Sequence, residues 1–294
     1  MNKSFTAWVI LIVVSLVWGS SFILMKLGLR SFTSDEVAGL RISIASLFML
    51  PFLLKHYSID LKKHLKGLLL MGVFGNLIPA FLFTKAETQV SSSLTGMLNA
   101  LTPLFTIIIG YISFKQKITK NQVIGVMIGF IGAIVLVSVD NNQEQNDTHV
   151  FYYLLIVGAT LCYAISVNGI KAYLSELNSF TATVWSFTLI GPIAIIYLLG
   201  FTDVIEHAKT HPLGLSSLGY ISILAIVGSA LSVVAYNTLI KLSGTIFAAS
   251  CTYLIPIVAI GWGLFDGEII TLFQMLAVLV IIAGIWLINL PKKA

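Results

Sequence analysis

Apolar stretches about twenty residues long recur along the chain, each closed by a short run of polar or charged residues. They cover residues 7–28, 36–54, 66–84, 91–113, 121–139, 151–172, 181–200, 216–240, 244–265 and 270–290. A helix of roughly 20 residues crosses the hydrocarbon core of a bilayer. Within lipid such a segment must satisfy its own backbone hydrogen bonds, which selects helices over strands. The pattern predicts an all-α integral membrane protein of ten transmembrane helices. The fourth stretch is the least regular, because Ser91, Ser92, Ser93, Thr95 and Asn99 dilute it. The first starts like a leader peptide, with Lys3 ahead of Trp8 to Val17, but its apolar run continues without a small-residue cleavage pattern. It is therefore expected to remain as a span.

Composition narrows the class. The 294 residues are 57% hydrophobic and only 10% charged, where a soluble domain carries about a quarter charged residues. A net charge of +5 is what lysine-rich cytoplasmic loops produce, and it gives no reason to expect nucleic acid as a partner. With a cytoplasmic amino terminus, the inner side holds Lys3, Lys55, Lys62, Lys63, Lys66, Lys115, Lys117, Lys120, Lys171, Lys241, Lys292 and Lys293. The outer side holds Lys26, Arg30, Arg41, Lys85 and Lys209, so the 17 basic residues divide twelve to five. That bias supports ten spans with both termini in the cytoplasm of a bacterial inner membrane. Cys162 and Cys251 lie inside apolar runs, where cysteine behaves as a small hydrophobe.

The second half of the chain echoes the first. At an offset of 145, Trp18 pairs with Tyr163, Ser21 with Ser166 and Lys26 with Lys171; at 153, Gly75 pairs with Gly228, Phe83 with Tyr236, Pro103 with Pro256 and Gly110 with Gly263. At 152, Thr119 pairs with Thr271, Gln122 with Gln274 and Gly132 with Gly284. These registers imply two five-helix repeats, residues 1–140 and 150–294, joined by an outer linker at 140–150. Five is odd, so the second copy enters the membrane inverted, the architecture of many secondary transporters.

The residues resemble the EamA-like transporters of the drug/metabolite transporter superfamily. The resemblance rests on Trp18-Gly19-Ser20-Ser21-Phe22 in the first span, Arg41 opening the second, and Leu101-Thr102-Pro103-Leu104-Phe105 in the fourth. The last of these is echoed by Leu254-Ile255-Pro256-Ile257-Val258, with Asp266-Gly267-Glu268 following. It extends over essentially the whole chain and implies a ten-helix basket with cytoplasmic termini and a central substrate cavity. One departure is that the first half has Lys115-Gln116-Lys117 where the second has Glu268, so a role requiring a glutamate in both repeats is in doubt.

Polar residues within spans are costly unless they face a partner or a wet cavity, and their positions locate the interior. Ser92, Thr95, Asn99 and Thr102 share one helical face, and Thr245 and Thr252 hold the positions equivalent to Ser92 and Asn99. Asn76, Pro79 and Phe83 form a stripe in the third span that Ser229, Ser232 and Tyr236 repeat in the eighth. These stripes predict a cavity lined by spans 1, 3, 4, 6, 8 and 9. Its candidate binding residues are Trp18, Ser21, Asn76, Phe83, Ser92, Thr95, Asn99, Tyr163, Ser166, Ser229, Tyr236, Thr252 and Tyr253. A hydroxyl in such a place often only packs helices together, whereas Asn76 and Asn99 each carry two donors and an acceptor that need partners. Pro79, Pro103 and Pro256 each remove a helical hydrogen bond, as hinges or as fixed kinks. Lys26, Arg41, Lys85 and Glu87 lie in the outer quarter of their spans, either snorkelling to the interface or forming an outer vestibule in which Glu87 neutralises a cation.

Other signals carry less. Gly125 and Gly129 form a GxxxG pair suited to close helix packing. His207 and His211 have the spacing of a zinc-binding helix, but Pro212 follows and no third ligand is evident, so neither a metal nor a cofactor is expected. The cluster Lys55, His56, Lys62, Lys63, His64 and Lys66 suits anionic lipid headgroups as well as a topology signal. No catalytic motif is present, so an enzyme is not expected. The reading is a secondary active transporter, in the direction of export, for a small organic metabolite such as an amino acid. Its partners are that small-molecule substrate and membrane lipid, and it acts as a monomer or homodimer. A passive channel or facilitator is the alternative.

Overall fold

The computed structural model describes residues 3–56, 58–139, 147–249, 251–288 and 290. Of the predicted linker at 140–150, residues 140–146 lie outside the described residues and 147–150 belong to the start of α8. All described secondary structure is helical. In order, α1 is Lys3–Gly28, α2 Ser34–His56, α3 Leu61–Leu69, α4 Ile78–Ala86, α5 Ser92–Leu98, α6 Thr102–Phe114 and α7 Lys120–Ser138. Then come α8 Asp147–Tyr173, α9 Ser179–Phe201, α10 Val204–Thr210, α11 Gly214–Ile223, α12 Ser232–Ala249, α13 Cys251–Phe265 and α14 Leu272–Ile288. A π-helical stretch, Leu70–Leu77, joins α3 to α4 and a second, Leu224–Leu231, joins α11 to α12; the 3₁₀ turn Asn99–Leu101 joins α5 to α6.

Among the described residues, eight helical units, each counted through these turns, are long and apolar enough to cross a bilayer, and α13 and α14 are two shorter apolar helices. The short polar helix α10, between the seventh and eighth spans, is a further addition.

Local chemistry sets the boundaries. The Ser91 side chain accepts from the Leu94 N–H at 3.3 Å and starts α5, using one of the N–H groups left over at a helix start. Thr119 and Gln122 form a reciprocal capping box at the start of α7, and Thr271 and Gln274 bond each other in the same way at the start of α14. After α6 the chain reverses through Lys115 at φ 52°, and after α13 through Gly267 at φ 81°. Only at Gly267 does the residue have no Cβ to resist that conformation.

The helices pack in matching pairs: α2 on α9, α7 on α14, α1 on α13 and α6 on α8. Glycines allow the close crossings. A Cβ on Gly125 would stand 2.5 Å from the Gly284 carbonyl oxygen, and one on Gly191 2.5 Å from the Ser46 Cβ. The GxxxG pair thus serves the contact of α7 with α14 inside the chain. Outward faces carry Ile134, Ile196 and Leu279, each more than half exposed, as suits a surface wetted by lipid tails.

Candidate functional site

A cavity of about 440 Å³ lies at the centre of the bundle, within the range that holds small ligands, about 300–1,000 Å³. Trp18, Ser21, Asn76, Phe83, Asn99, Tyr163, Ser166, Ser229, Tyr236 and Thr252 all reach its wall. The Trp18 indole donates to the Ser232 hydroxyl at 2.8 Å, and its ring meets Tyr236 at 4.9 Å between centroids. Opposite, Tyr163 meets Phe83 at 5.8 Å. Three predicted residues fall elsewhere. Ser92 and Thr95 are buried near the start of α5, where Thr95 bonds back to the Ser91 carbonyl at 3.0 Å, and Tyr253, beside the wall residue Thr252, packs against the buried apolar core. Ser92 instead meets Glu268, donating from its hydroxyl at 2.9 Å. The wall also includes Arg41 from α2 and Ser179 and Ala182 from α9, so the second and seventh spans join the six expected.

The π-helical stretches are the feature that sequence reading missed. In one, Asn76 donates to the Met71 carbonyl five residues back at 3.1 Å; in the other, Ser229 donates to Leu224, also five residues back, at 3.3 Å. Such turns widen a helix and concentrate at functional sites. A buried polar residue just past the middle of an apolar span was the available signal. Pro79, Pro103 and Pro256 cannot donate to the carbonyls of Gly75, Asn99 and Thr252, and all three of those residues line the cavity. The turn before Pro79 is rewound as π and that before Pro103 as 3₁₀, while Pro256 lies inside a continuous α13.

One end of the cavity is sealed. Lys26 Nζ stands 2.6 Å from both Asp266 and Glu268, and Arg30 is 3.3 Å from Asp266. Glu268 also accepts from the backbone N–H groups of Ser92 and Ser93 at 3.1 and 3.0 Å and from the Ser92 hydroxyl at 2.9 Å. Burial works against its charge, but the hydrogen bonds from Lys26, Ser93 and Ser92 outweigh that and hold the carboxyl below its ordinary pKa. The expectation that Glu87 neutralises a nearby cation is corrected here. Lys26 takes Asp266 and Glu268 instead, while Glu87 is 9% exposed and neither of its carboxylate oxygens has a hydrogen-bond partner among the described residues. Burial, reinforced by the charge of Glu268, pushes the Glu87 pKa well above the usual carboxylate value, and Lys26 and Arg41 only partly offset this. Lys85 is exposed, consistent with snorkelling. Arg41 belongs to the cavity wall, not to a vestibule.

The other end is open. The cavity runs past Ile170, Lys171 and Leu174 to the connection between α8 and α9, where Lys171 and Ser175 are exposed. Gln116 lies at this end, donating to the Asn168 Oδ1 at 2.9 Å. His207, half of the zinc-like spacing, is spent on Glu36 at 2.9 Å, and His211 Nδ1 accepts from the Leu213 N–H at 3.2 Å. No group of three metal-ligating side chains occurs among the described residues.

Comparison with known proteins fits this architecture. The chain is 29% identical over 290 residues to the uncharacterised inner membrane transporter YedA of Escherichia coli, covering 94% of this chain and 88% of that protein. It is 24% identical to an E. coli protein described as a probable amino-acid metabolite efflux pump, over 95% of this chain and 93% of that one. A solved crystal structure superposes with a TM-score of 0.66 at 14% identity, over 96% of this chain and 95% of that one, and shares the fold. The family and these relatives are transporters, not enzymes. The sequence profile of the EamA-like transporter family matches residues 6–138 and again 150–290, and the chain belongs to that family as a multi-pass membrane transporter.

Proposed function

We propose that this protein is a secondary active transporter that exports a small organic metabolite, such as an amino acid or related compound, across the bacterial inner membrane by alternating access. The observation that carries the reading is the central cavity, open at the Lys171 end and closed by ion pairs at the Lys26 end. A channel needs a continuous polar path, and the sealed end offers none. The matched pairing of helices supports two inverted five-helix repeats, since exchanging the halves exchanges α1 on α13 with α8 on α6. The same exchange turns the Trp18–Tyr236 contact into the Tyr163–Phe83 contact. The lysine bias places the Lys171 end in the cytoplasm with both termini, which makes this the form that loads cargo from inside. The relative described as an amino-acid metabolite efflux pump supports the substrate class and the direction.

Counterflow in proteoliposomes tests the reading: vesicles preloaded with unlabelled amino acids should take up a labelled one saturably. Asn99→Ala should reach the membrane in normal amounts and lose most of that flux. Uptake that rises linearly with concentration, or none for any metabolite tried, would overturn it.

A further inference from the structure

Arg41 sits in the cavity wall without a counter-charge. Its Nε donates to the Ser229 hydroxyl at 2.8 Å and its Nη1 to the Met25 sulfur at 3.8 Å, and the guanidinium also meets the Tyr163 hydroxyl. All three are neutral. No acid lies within ion-pair distance of Arg41 among the described residues, and Arg41 and Lys171 are the only charged residues in the described wall. Glu87 adds its field but no bond. A guanidinium carries five N–H donors in a planar fork, matched to the two oxygens of a carboxylate.

We infer that Arg41 anchors a carboxylate of the transported molecule. The inference deepens the carrier reading and rests on it. The cavity offers a cation with donors to spare at its sealed end and a second cation, Lys171, at its mouth, so an incoming anion is drawn inward along the wall. No wall carboxylate competes for Arg41 or favours a purely cationic cargo. Around it, the amide groups of Asn76 and Asn99 can accept from an ammonium group. The faces of Trp18, Tyr163 and Tyr236 suit either an ammonium or an apolar side chain. A zwitterionic amino acid uses all of these groups; an amine lacking the carboxyl leaves Arg41 uncompensated.

The test uses the full chain in detergent and reads melting temperature, which rises when a ligand binds the folded form. The probes are the protein amino acids and simple 2-hydroxy and 2-oxo acids, each beside its methyl ester and, for the amino acids, the matching amine. At least one free acid should stabilise the protein, and its ester and amine should not. Arg41→Gln should weaken that acid by on the order of 10- to 100-fold, the value of a charge-assisted hydrogen-bond pair, with the unliganded melting temperature close to wild type. Arg41→Lys should keep the preference for acid over ester at reduced affinity. If Arg41→Gln does not fold, the acid and ester series on wild type decides alone. Esters or amines that bind as well as acids, no acid that binds, or an unchanged response in Arg41→Gln would overturn the anchor. A carrier that moves a neutral compound undisturbed by Arg41→Gln would sink the anchor and leave the transport reading standing.

Discussion

The two ends of the cavity are built from matching pieces. After α6 the chain turns through Lys115, and the Gln116 N–H returns to the Gly110 carbonyl at 2.9 Å; after α13 it turns through Gly267, and the Glu268 N–H returns to Gly263 at 2.8 Å. The side chains just past the two turns make different bonds. The Glu268 carboxylate gathers Lys26 and the start of α5 and closes its end. The Gln116 amide donates to the neutral Asn168, and Lys171, the counterpart of Lys26, is left exposed at the mouth. An amide holds a helix without drawing a lysine across the opening, whereas a carboxylate does both. The two ends thus differ by one functional group, and the ion pairs gather at the Lys26 end.

The largest expected effect comes from breaking the charged end. Glu268→Ala removes a carboxylate that is 9% exposed, takes the acceptor from the Ser92 and Ser93 N–H groups and leaves Lys26 with Asp266 alone. The loss should be about 2 kcal/mol, less than for a fully buried pair because Lys26 is a third exposed. Thermal unfolding reads the loss, and thiol labelling of Met25→Cys from the outer face should rise at least tenfold.

Glu87 gives the next effect. Its folded pKa is raised, so the folded chain binds more protons than the unfolded one. Stability is then fully present below the unfolded carboxylate pKa and falls as pH rises through the folded value. Glu87→Gln should remove that decline and raise stability at alkaline pH by roughly 2 kcal/mol, the cost of an unsatisfied buried group, with little change in acid. Melting curves across pH would check this; parallel curves for variant and wild type would refute it.

Gln116→Glu sharpens the comparison from the other side. The new carboxylate should attract Lys171, favour closure of that end and slow labelling of Ser175→Cys several-fold. The smallest effect belongs to His207, whose pKa is raised by its hydrogen bond to Glu36. Its contribution is present below the ordinary histidine pKa and lost as pH rises through the folded value. His207→Gln should therefore narrow the stability difference between pH 6 and pH 8 slightly, as melting curves at the two pH values would show.

Much of this was legible in the chain. The apolar spacing located the spans, and helical stripes brought ten of the proposed wall residues to one cavity, because polar side chains in lipid have few places to go. The π-helical stretches were hidden, since Asn76 and Ser229 are compatible with an ordinary helix until the bond to the fifth carbonyl back is seen. The charged seal was hidden for another reason. Lys26 and Glu268 are 242 positions apart, and no local pattern shows that the loop after α13 folds over the end of α1. The place of Arg41 was hidden too, because position along α2 says nothing of its contact with Ser229, 188 residues away in the cavity wall.

The most direct test of one open and one sealed end is sided labelling of Met25→Cys, a cavity residue beside the seal, in a background lacking Cys162 and Cys251. A membrane-impermeant thiol reagent should reach it from the cytoplasmic face of inverted vesicles and not from the outer face of intact cells, until Glu268→Ala is added. Equal labelling of the otherwise wild-type protein from both faces, or labelling from the outer face alone, would contradict the account.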